Sequence, residues 1–298
     1  MNRHEFLTHI HQLAAPRSYL EIGVNHGESL TLARTRTIAV DPEFKVNAEL
    51  KCSLELVKAT SDDFFARADP IAWFPEGTVD LAFIDGMHLF EFALRDFINV
   101  EKLTQPGSVV VFDDVMPRNT EEASRVRRSR FWAGDVYKVA LALEKYRPDL
   151  LLVPVDTFPT GLLLVVGLDP TNRVLQDNYD DVVATFARED PQLVPPEILN
   201  RSRAADPDKV IASGVLQQLC APTAHGHGPD LEALRSLQGT ATYLPAPYDN
   251  PAWPPPSVTP AKKAATKNAA APKEATKQAT KRPTLTRRLK RAVRAFLG

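Results

Sequence analysis

Residues 19–29 read Tyr19-Leu20-Glu21-Ile22-Gly23-Val24-Asn25-His26-Gly27-Glu28-Ser29. A short apolar run breaks at two glycines and passes into the helical pattern Ser29-Leu30-Thr31-Leu32-Ala33. Strand, glycine turn and helix make the first unit of a nucleotide-binding α/β domain. Glycine lets backbone approach a ligand closely, and a helix start presents unpaired N–H groups. The spacing is Gly-x-x-x-Gly, with an acid two residues before the first glycine. It is not the Gly-x-Gly-x-x-Gly of dinucleotide folds.

Upstream, residues 2–14 have helical spacing, with Phe6, Ile10 and Leu13 on one face, and Pro16 ends the helix. Downstream, the first strand at 18–23 leads to a helix over 27–35 and a second strand at 37–40, stopped by Asp41-Pro42. A third strand at 54–58 precedes a helix capped by Ser61 or Asp62, and a fourth covers 79–84. A helix over 89–103 is expected to bury Leu89, Phe92, Ala93, Val100 and Leu103. A fifth strand runs from Ser108 to Phe112. After the polar stretch 117–131, Asp135 reads as the cap of a helix to Tyr146. The runs 150–155 and 162–166 lie too close for a crossover and pair antiparallel. The expected fold is α/β: a Rossmann-like, seven-stranded, mostly parallel sheet with a terminal antiparallel hairpin. A helical extension and a disordered basic tail follow it.

The boundaries follow composition. Residues 1–170 form the sheet domain, and 171–243 a helical extension with segments near 174–188, 208–220 and 229–238. Residues 244–283 are a Pro-rich, then Lys/Ala-rich linker. The 298 residues sum to a net charge of -1, which hides an asymmetry. From Ala261 to Gly298 there are twelve Lys/Arg and one acid, against 24 basic and 36 acidic residues before it. In 284–298 a helical period returns, with Leu285, Leu289, Val293, Phe296 and Leu297 near one face and arginines around the rest. An apolar stripe with a basic face suits an anionic membrane surface; nucleic acid would need no stripe and is disfavoured. Cys52 and Cys220 suggest neither a disulfide framework nor a zinc site. No signal-peptide core or membrane-length apolar run stands out, so the chain is expected in the cytoplasm, with the tail able to touch the inner face of the membrane. An oligomer is compatible with the sequence.

Asp41, Asp85, Asp113 and Asp114 all follow strands and converge on one sheet edge. Any one of them fits a turn or cap. Four together repel unless cations or hydroxyls compensate them. Asp41 suits the two hydroxyls of a ribose. Asp85, Asp113 and Asp114 offer hard oxygen ligands of the kind Mg²⁺ takes. His88, three residues after Asp85, has the chemistry of a base near neutrality. Residues 132–138 either wall a substrate site or merely cap and pack. His225-Gly226-His227 reads as loop.

These segments resemble motif I and the later signposts of class I S-adenosylmethionine (SAM) methyltransferases. Glu21 to Ser29, Val40-Asp41, Ser61-Asp62, Phe83-Ile84-Asp85-Gly86-Met87-His88 and Asp113-Asp114-Val115 are similar in order to metal-dependent O-methyltransferases. Both the catechol O-methyltransferase group and the macrocin-type sugar O-methyltransferases share them, over residues 17–170. The resemblance implies SAM-dependent methyl transfer to a hydroxyl of a small molecule or sugar. Glu21, Gly23, Asn25, Gly27 and Ser29 would hold the methionine end, Asp41 the ribose, and Ser61 with Asp62 the adenine edge. Asp85, Asp113 and Asp114 would bind Mg²⁺, with His88 as general base where the catechol group has lysine. Asp113-Asp114 stands where the catechol enzymes have Asp-Asn, which puts one more negative charge at the metal. The competing readings are a Rossmann-type oxidoreductase, against which the missing dinucleotide spacing counts, and a non-catalytic SAM-fold scaffold working through its tail.

Overall fold

The computed structural model describes residues 1–220 and Ser236. The segments near 229–238, the linker 244–283, the helix 284–298 and the His225-Gly226-His227 loop lie outside the described residues.

Seven strands form one sheet: β1 (Ser18–Ile22), β2 (Arg36–Val40), β3 (Ser53–Val57), β4 (Val79–Ile84), β5 (Thr104–Phe112), β6 (Leu151–Val155) and β7 (Leu162–Val166). Their order is β3-β2-β1-β4-β5-β7-β6, with β1 to β5 parallel and β7 antiparallel between β5 and β6. The apolar runs of β1, β4, β6 and β7 are buried at every position, as strands covered on both faces must be. Alternate residues serve opposite layers. Leu20, Ile22, Ala82, Ile84, Val110 and Phe112 face one core, and Tyr19, Leu81, Phe83, Val109 and Val111 the other. The strand order reverses between β1 and β4, where a crevice opens beyond the carboxyl ends of the strands.

The helices in chain order are α1 (Arg3–Ala14), α2 (Ser61–Phe65), α3 (Phe90–Glu101), α4 (Lys138–Tyr146), α5 (Val174–Asp177), α6 (Tyr179–Phe186), α7 (Pro196–Leu199) and α8 (Pro207–Ala212). A capping box fixes the start of α1: the Asn2 side chain accepts from Glu5 N, and Glu5 returns a bond to Asn2 N. Between residues 171 and 220 the extension packs into the sheet's own cores, α6 through Val182 and Phe186 and α8 through Val210.

Four expectations change in detail. The helix over 27–35 is a single 3₁₀ turn, Ser29–Leu32. With β2 starting at Arg36, little chain remains after the glycine loop, and the tighter turn fits. α1 covers that face instead, with Phe6, Leu7, Ile10 and Ala14 buried beside Leu30 and Ala33. Thr60, not Ser61 or Asp62, caps α2 by accepting from Asp63 N. α3 buries Phe90, Ala93, Leu94, Phe97, Ile98 and Val100, while Leu89, Phe92 and Leu103 are only half-buried. The stripe from Phe90 through Ala93, Leu94 and Phe97 has the wider helical face, and it turns Phe92 outward under Arg95. Finally, Tyr137 precedes α4, and the Asp135 carboxylate accepts instead from Phe90 N, the first N–H of α3.

Candidate active site

The glycine loop closes over the end of β1. Gly23 N donates to Val40 O at 2.9 Å, and Asp85 N donates to Ile22 O at 2.8 Å, which ties the ends of β1, β2 and β4 together. Gly23 has φ +90°, and a Cβ there would sit 2.0 Å from Asp85 O. Only glycine lets the β4 loop pass this close. Asp41 shapes the loop directly: Oδ2 accepts from Val24 N (2.8 Å) and Asn25 N (2.9 Å), and Oδ1 from Glu43 N (2.6 Å). Glu21 is wholly buried and turns inward, accepting from Tyr19 Oη (2.7 Å) and Ser29 Oγ (2.6 Å). Burial pushes its carboxyl up to about 8 against the partial opposition of those two bonds. Glu21 and Ser29 thus satisfy each other beneath the loop, while Asn25 (φ 47°) and Gly27 (φ 79°) form its turn.

Asp85, Asp113 and Asp114 follow β4 and β5 side by side. Asp114 is left-handed at φ 62° and His88 at φ 54°, two non-glycine outliers in one site. The turn at Asp114 lets adjacent carboxylates diverge. Asp113 is buried and engages the Arg3 guanidinium, which also reaches Asp85 Oδ2 at 3.5 Å. Asp114 Oδ1 accepts from Thr160 Oγ1 at 2.6 Å, and its Oδ2 lies 2.9 Å from His88 Nδ1. His88 Nε2 is 3.2 Å from Asp85 Oδ1, and Nδ1 is 2.9 Å from Trp132 O. The Trp132 ring stacks on the imidazole, 5.2 Å between centroids and 15° from parallel. Burial works against charge on His88, but Asp114 and Asp85 outweigh it and hold the imidazole well above its ordinary 6.5. Asp114 is lowered in turn: burial raises it, and His88, Thr160 and Arg3 together prevail. Asp85, His88 and Asp114 each bring one ligand atom within 4.8 Å of the others, a set able to hold a metal ion. Asp113 is not in that set; its carboxylate engages Arg3.

Residues 20–115, from β1 through this acidic edge, match the family model of a methyltransferase domain. That stretch, about a third of the chain, is similar to a methyltransferase domain. Among solved structures the chain is similar to the O-methyltransferase of Bacillus cereus in complex with SAH, at 16% identity and TM-score 0.41, over 56% of this chain and 80% of that one. It is also similar to the O-methyltransferase TomG of Streptomyces achromogenes in complex with SAM, at 18% identity and TM-score 0.41, over 56% and 80%. MycE of the mycinamycin biosynthetic pathway, in complex with Mg and SAH, has 16% identity and TM-score 0.37, over 56% and 50%. No curated protein sequence matches the chain.

Ser61 and Asp62, both half-buried, pair with residues of α3. Asp62 takes Arg95 through Nε (2.6 Å) and Nη2 (2.7 Å), and Arg95 also reaches Tyr179 Oη at 3.0 Å. Ser61 hydrogen-bonds Asp96, whose carboxyl burial pushes up to about 7. Asp96 lines a small inner pocket with Gly86, Met87, Asp85 and His88.

On the other side of His88 lies a cleft of about 610 Å³. Its walls are the start of α1, the aromatic pair Phe131 and Trp132, and the β6–β7 connection at Phe158, Pro159 and Thr160; His88 and Asp114 form its inner end. Arg3 N donates to Phe158 O and Phe158 N to Met1 O, both at 3.1 Å, which pins the N-terminus over the site. Gly134 holds the aromatic wall in place: at φ +61°, a Cβ there would meet His88 O at 1.7 Å. Asp135 anchors the same segment, wholly buried between Arg125 (2.7 Å) and Lys138 (2.9 Å). Of the two readings of residues 132–138, Trp132 lines the cleft and Asp135 caps α3. Arg3, Phe158, Thr160 and Asp96 carried no motif. The signal available was only that Arg3 is a cation in the first turn of a helix that could cover an acidic edge.

Among the described residues no helix is long and apolar enough to cross a membrane.

Proposed function

We propose that the chain transfers the methyl group of SAM to a hydroxyl oxygen of a small molecule or sugar, with His88 as the base. The observation that carries this reading is the position of the Asp85–His88–Asp114 cluster, between the glycine loop and an aromatic cleft. The sulfonium methyl is already activated, so the protein must align donor and acceptor and remove a proton from the acceptor. His88 Nδ1 faces Asp114 and Trp132 O, which fixes a proton on that nitrogen; in the neutral imidazole Nε2 takes the acceptor's proton, and Asp85, 3.2 Å from Nε2, with Asp114 stabilises the imidazolium that forms. Trp132 and Thr160 hold the ring and its carboxylate in place. Asp41 shapes the loop for the ribose side, and Glu21, Gly23, Asn25, Gly27 and Ser29 form the methionine side. Ser61 and Asp62 stand at the adenine edge.

The carboxylates Asp85 and Asp114 fit a hard divalent cation such as Mg²⁺, with His88 kept as the base. Asp85 and Asp114 are carboxylates converging within reach of each other, and the cations Arg3 and His88 now balance their charge. Asp113, held by Arg3, would join only if that ion pair opened. When bound, Mg²⁺ would act as a Lewis acid that lowers the acceptor hydroxyl's pKa. The basic segment 284–298 retains its sequence-based proposal, contact with an anionic membrane surface.

The test is turnover with a panel of hydroxylated acceptors, with and without EDTA, beside SAH calorimetry. EDTA should abolish turnover and Mg²⁺ restore it. His88→Ala should lower kcat by roughly 10²–10⁴-fold with SAH affinity intact. Full activity in EDTA would remove the metal, and a normal rate in His88→Ala would remove the base.

A further inference from the structure

We propose that the acceptor carries a phosphate-type anionic group, gripped by Arg127, Arg128 and Arg130, which immediately precede the cleft residues Phe131 and Trp132 in the chain. The inference rests on the hydroxyl-acceptor reading and names the class of molecule that bears the hydroxyl.

The segment 118–130 holds five arginines and two glutamates, on a body that is otherwise acidic. Two of the five are structural. Arg118 pairs with Glu122, and Arg125 with Glu91 (2.6 Å) and Asp135 (2.7 Å). The other three are exposed. Arg127 donates to the backbone oxygens of Ser129 (3.4 Å) and Arg130 (3.0 Å), which orient a guanidinium without neutralising it. Arg130 lies over the Phe131 ring at 5.9 Å. Among the described residues their one carboxylate neighbour is Asp190, 3.8 Å from Arg128. That carboxylate already accepts from Arg125 N, Val126 N and Gln192 Nε2. Three positive charges within four residues repel one another, and an anion between them removes that cost.

The placement ties this patch to the chemistry. Phe131 is 51% exposed and lines the cleft, and Trp132 stacks on His88. Two residues, at most about 7 Å of chain, separate Arg130 from Trp132. One molecule can therefore present a hydroxyl at His88, lay its ring or sugar along Phe131 and Trp132, and leave an anion among the arginines. Guanidinium forks match phosphate oxygens two at a time, which makes phosphoryl groups the favoured anion. On an acidic body the patch also steers such a molecule toward this part of the surface.

The test uses the full chain, comparing the wild type with Arg127→Ser/Arg128→Ser/Arg130→Ser, so that the basic tail contributes equally to both. Inorganic pyrophosphate is the first probe, followed by calorimetry at low and high salt. The triple variant should bind it about tenfold more weakly, the scale of one or two charge-assisted contacts, with SAH affinity unchanged. Hydroxyl acceptors supplied with and without a phosphate ester are the second. The variant should raise KM for the ester about tenfold at unchanged kcat and leave the parent alcohol unaffected. Equal pyrophosphate binding by both proteins overturns the proposal. So does a variant that loses only sedimentation with phosphatidylserine vesicles, since the patch would then be a membrane contact. Failure of the wild type to bind SAH would instead sink the methyl-transfer reading, whatever pyrophosphate does.

Discussion

Glu21→Gln tests whether the carboxyl beneath the glycine loop is buried as a neutral acid. Glu21 has no exposed surface, and burial moves its carboxyl from 4.5 to about 8. Below pH 4.5 the folded and unfolded chains both carry the proton. Between 4.5 and about 8 the unfolded chain releases it and the folded chain keeps it, so stability falls as pH rises. Above about 8 both are ionised and the loss is complete. At about 1.4 kcal/mol per pH unit, the loss is roughly 3 kcal/mol by pH 7 and about 5 kcal/mol at full extent. Gln keeps the shape: its Oε1 can accept from Tyr19 Oη, and its Nε2 can donate to Ser29 Oγ. The variant should therefore match the wild type near pH 5 and exceed it progressively up to pH 8. Urea midpoints of both proteins at pH 5, 6, 7 and 8 measure the difference, and other carboxyls cancel in the comparison. Parallel pH profiles would refute the reasoning, because Glu21 would then ionise in the folded chain as it does in the unfolded one.

Asp41→Ala removes the acceptor for Val24 N and Asn25 N and should weaken SAH binding by about 1.5–3 kcal/mol. Unchanged calorimetric affinity in a folded variant would exclude Asp41 from the cofactor site. Asp135→Ala leaves Lys138, Arg125 and the first N–H of α3 without their shared carboxylate and should cost about 3–5 kcal/mol, read as a lowered Tm; a shift near zero would mean the node is not coupled. Full-length protein should co-sediment with anionic liposomes at low salt, while a chain ending at Pro260 should not, and equal sedimentation would remove the membrane contact. Leu289→Asp with Phe296→Asp should abolish that binding although most of the positive charge remains.

Much of the fold was legible because its signals are local. The strands are short apolar runs bounded by Asp, Pro and Gly, the hairpin follows from a connection too short to cross over, and the acids recur at strand ends. The same locality set the limits. One turn of 3₁₀ and a helix leave nearly the same pattern over Ser29–Leu32, and only the room left before β2 separates them. The stripe of α3 was displaced because Leu89 and Leu103 lie outside the helix that packs. For the site, the sequence by itself determined which residue types reach the carboxyl edge of the sheet: Asp41, Asp85, His88, Asp113 and Asp114. What each of them touches was decided by the tertiary structure. Asp113 meets Arg3 across 110 positions, Asp114 meets Thr160 across 46, and Asp135 caps a helix 45 residues earlier. A carboxylate's partner is whichever donor the fold brings within about 3 Å. That depends on how α1 and the β6–β7 connection pack over the sheet, and no local spacing records it.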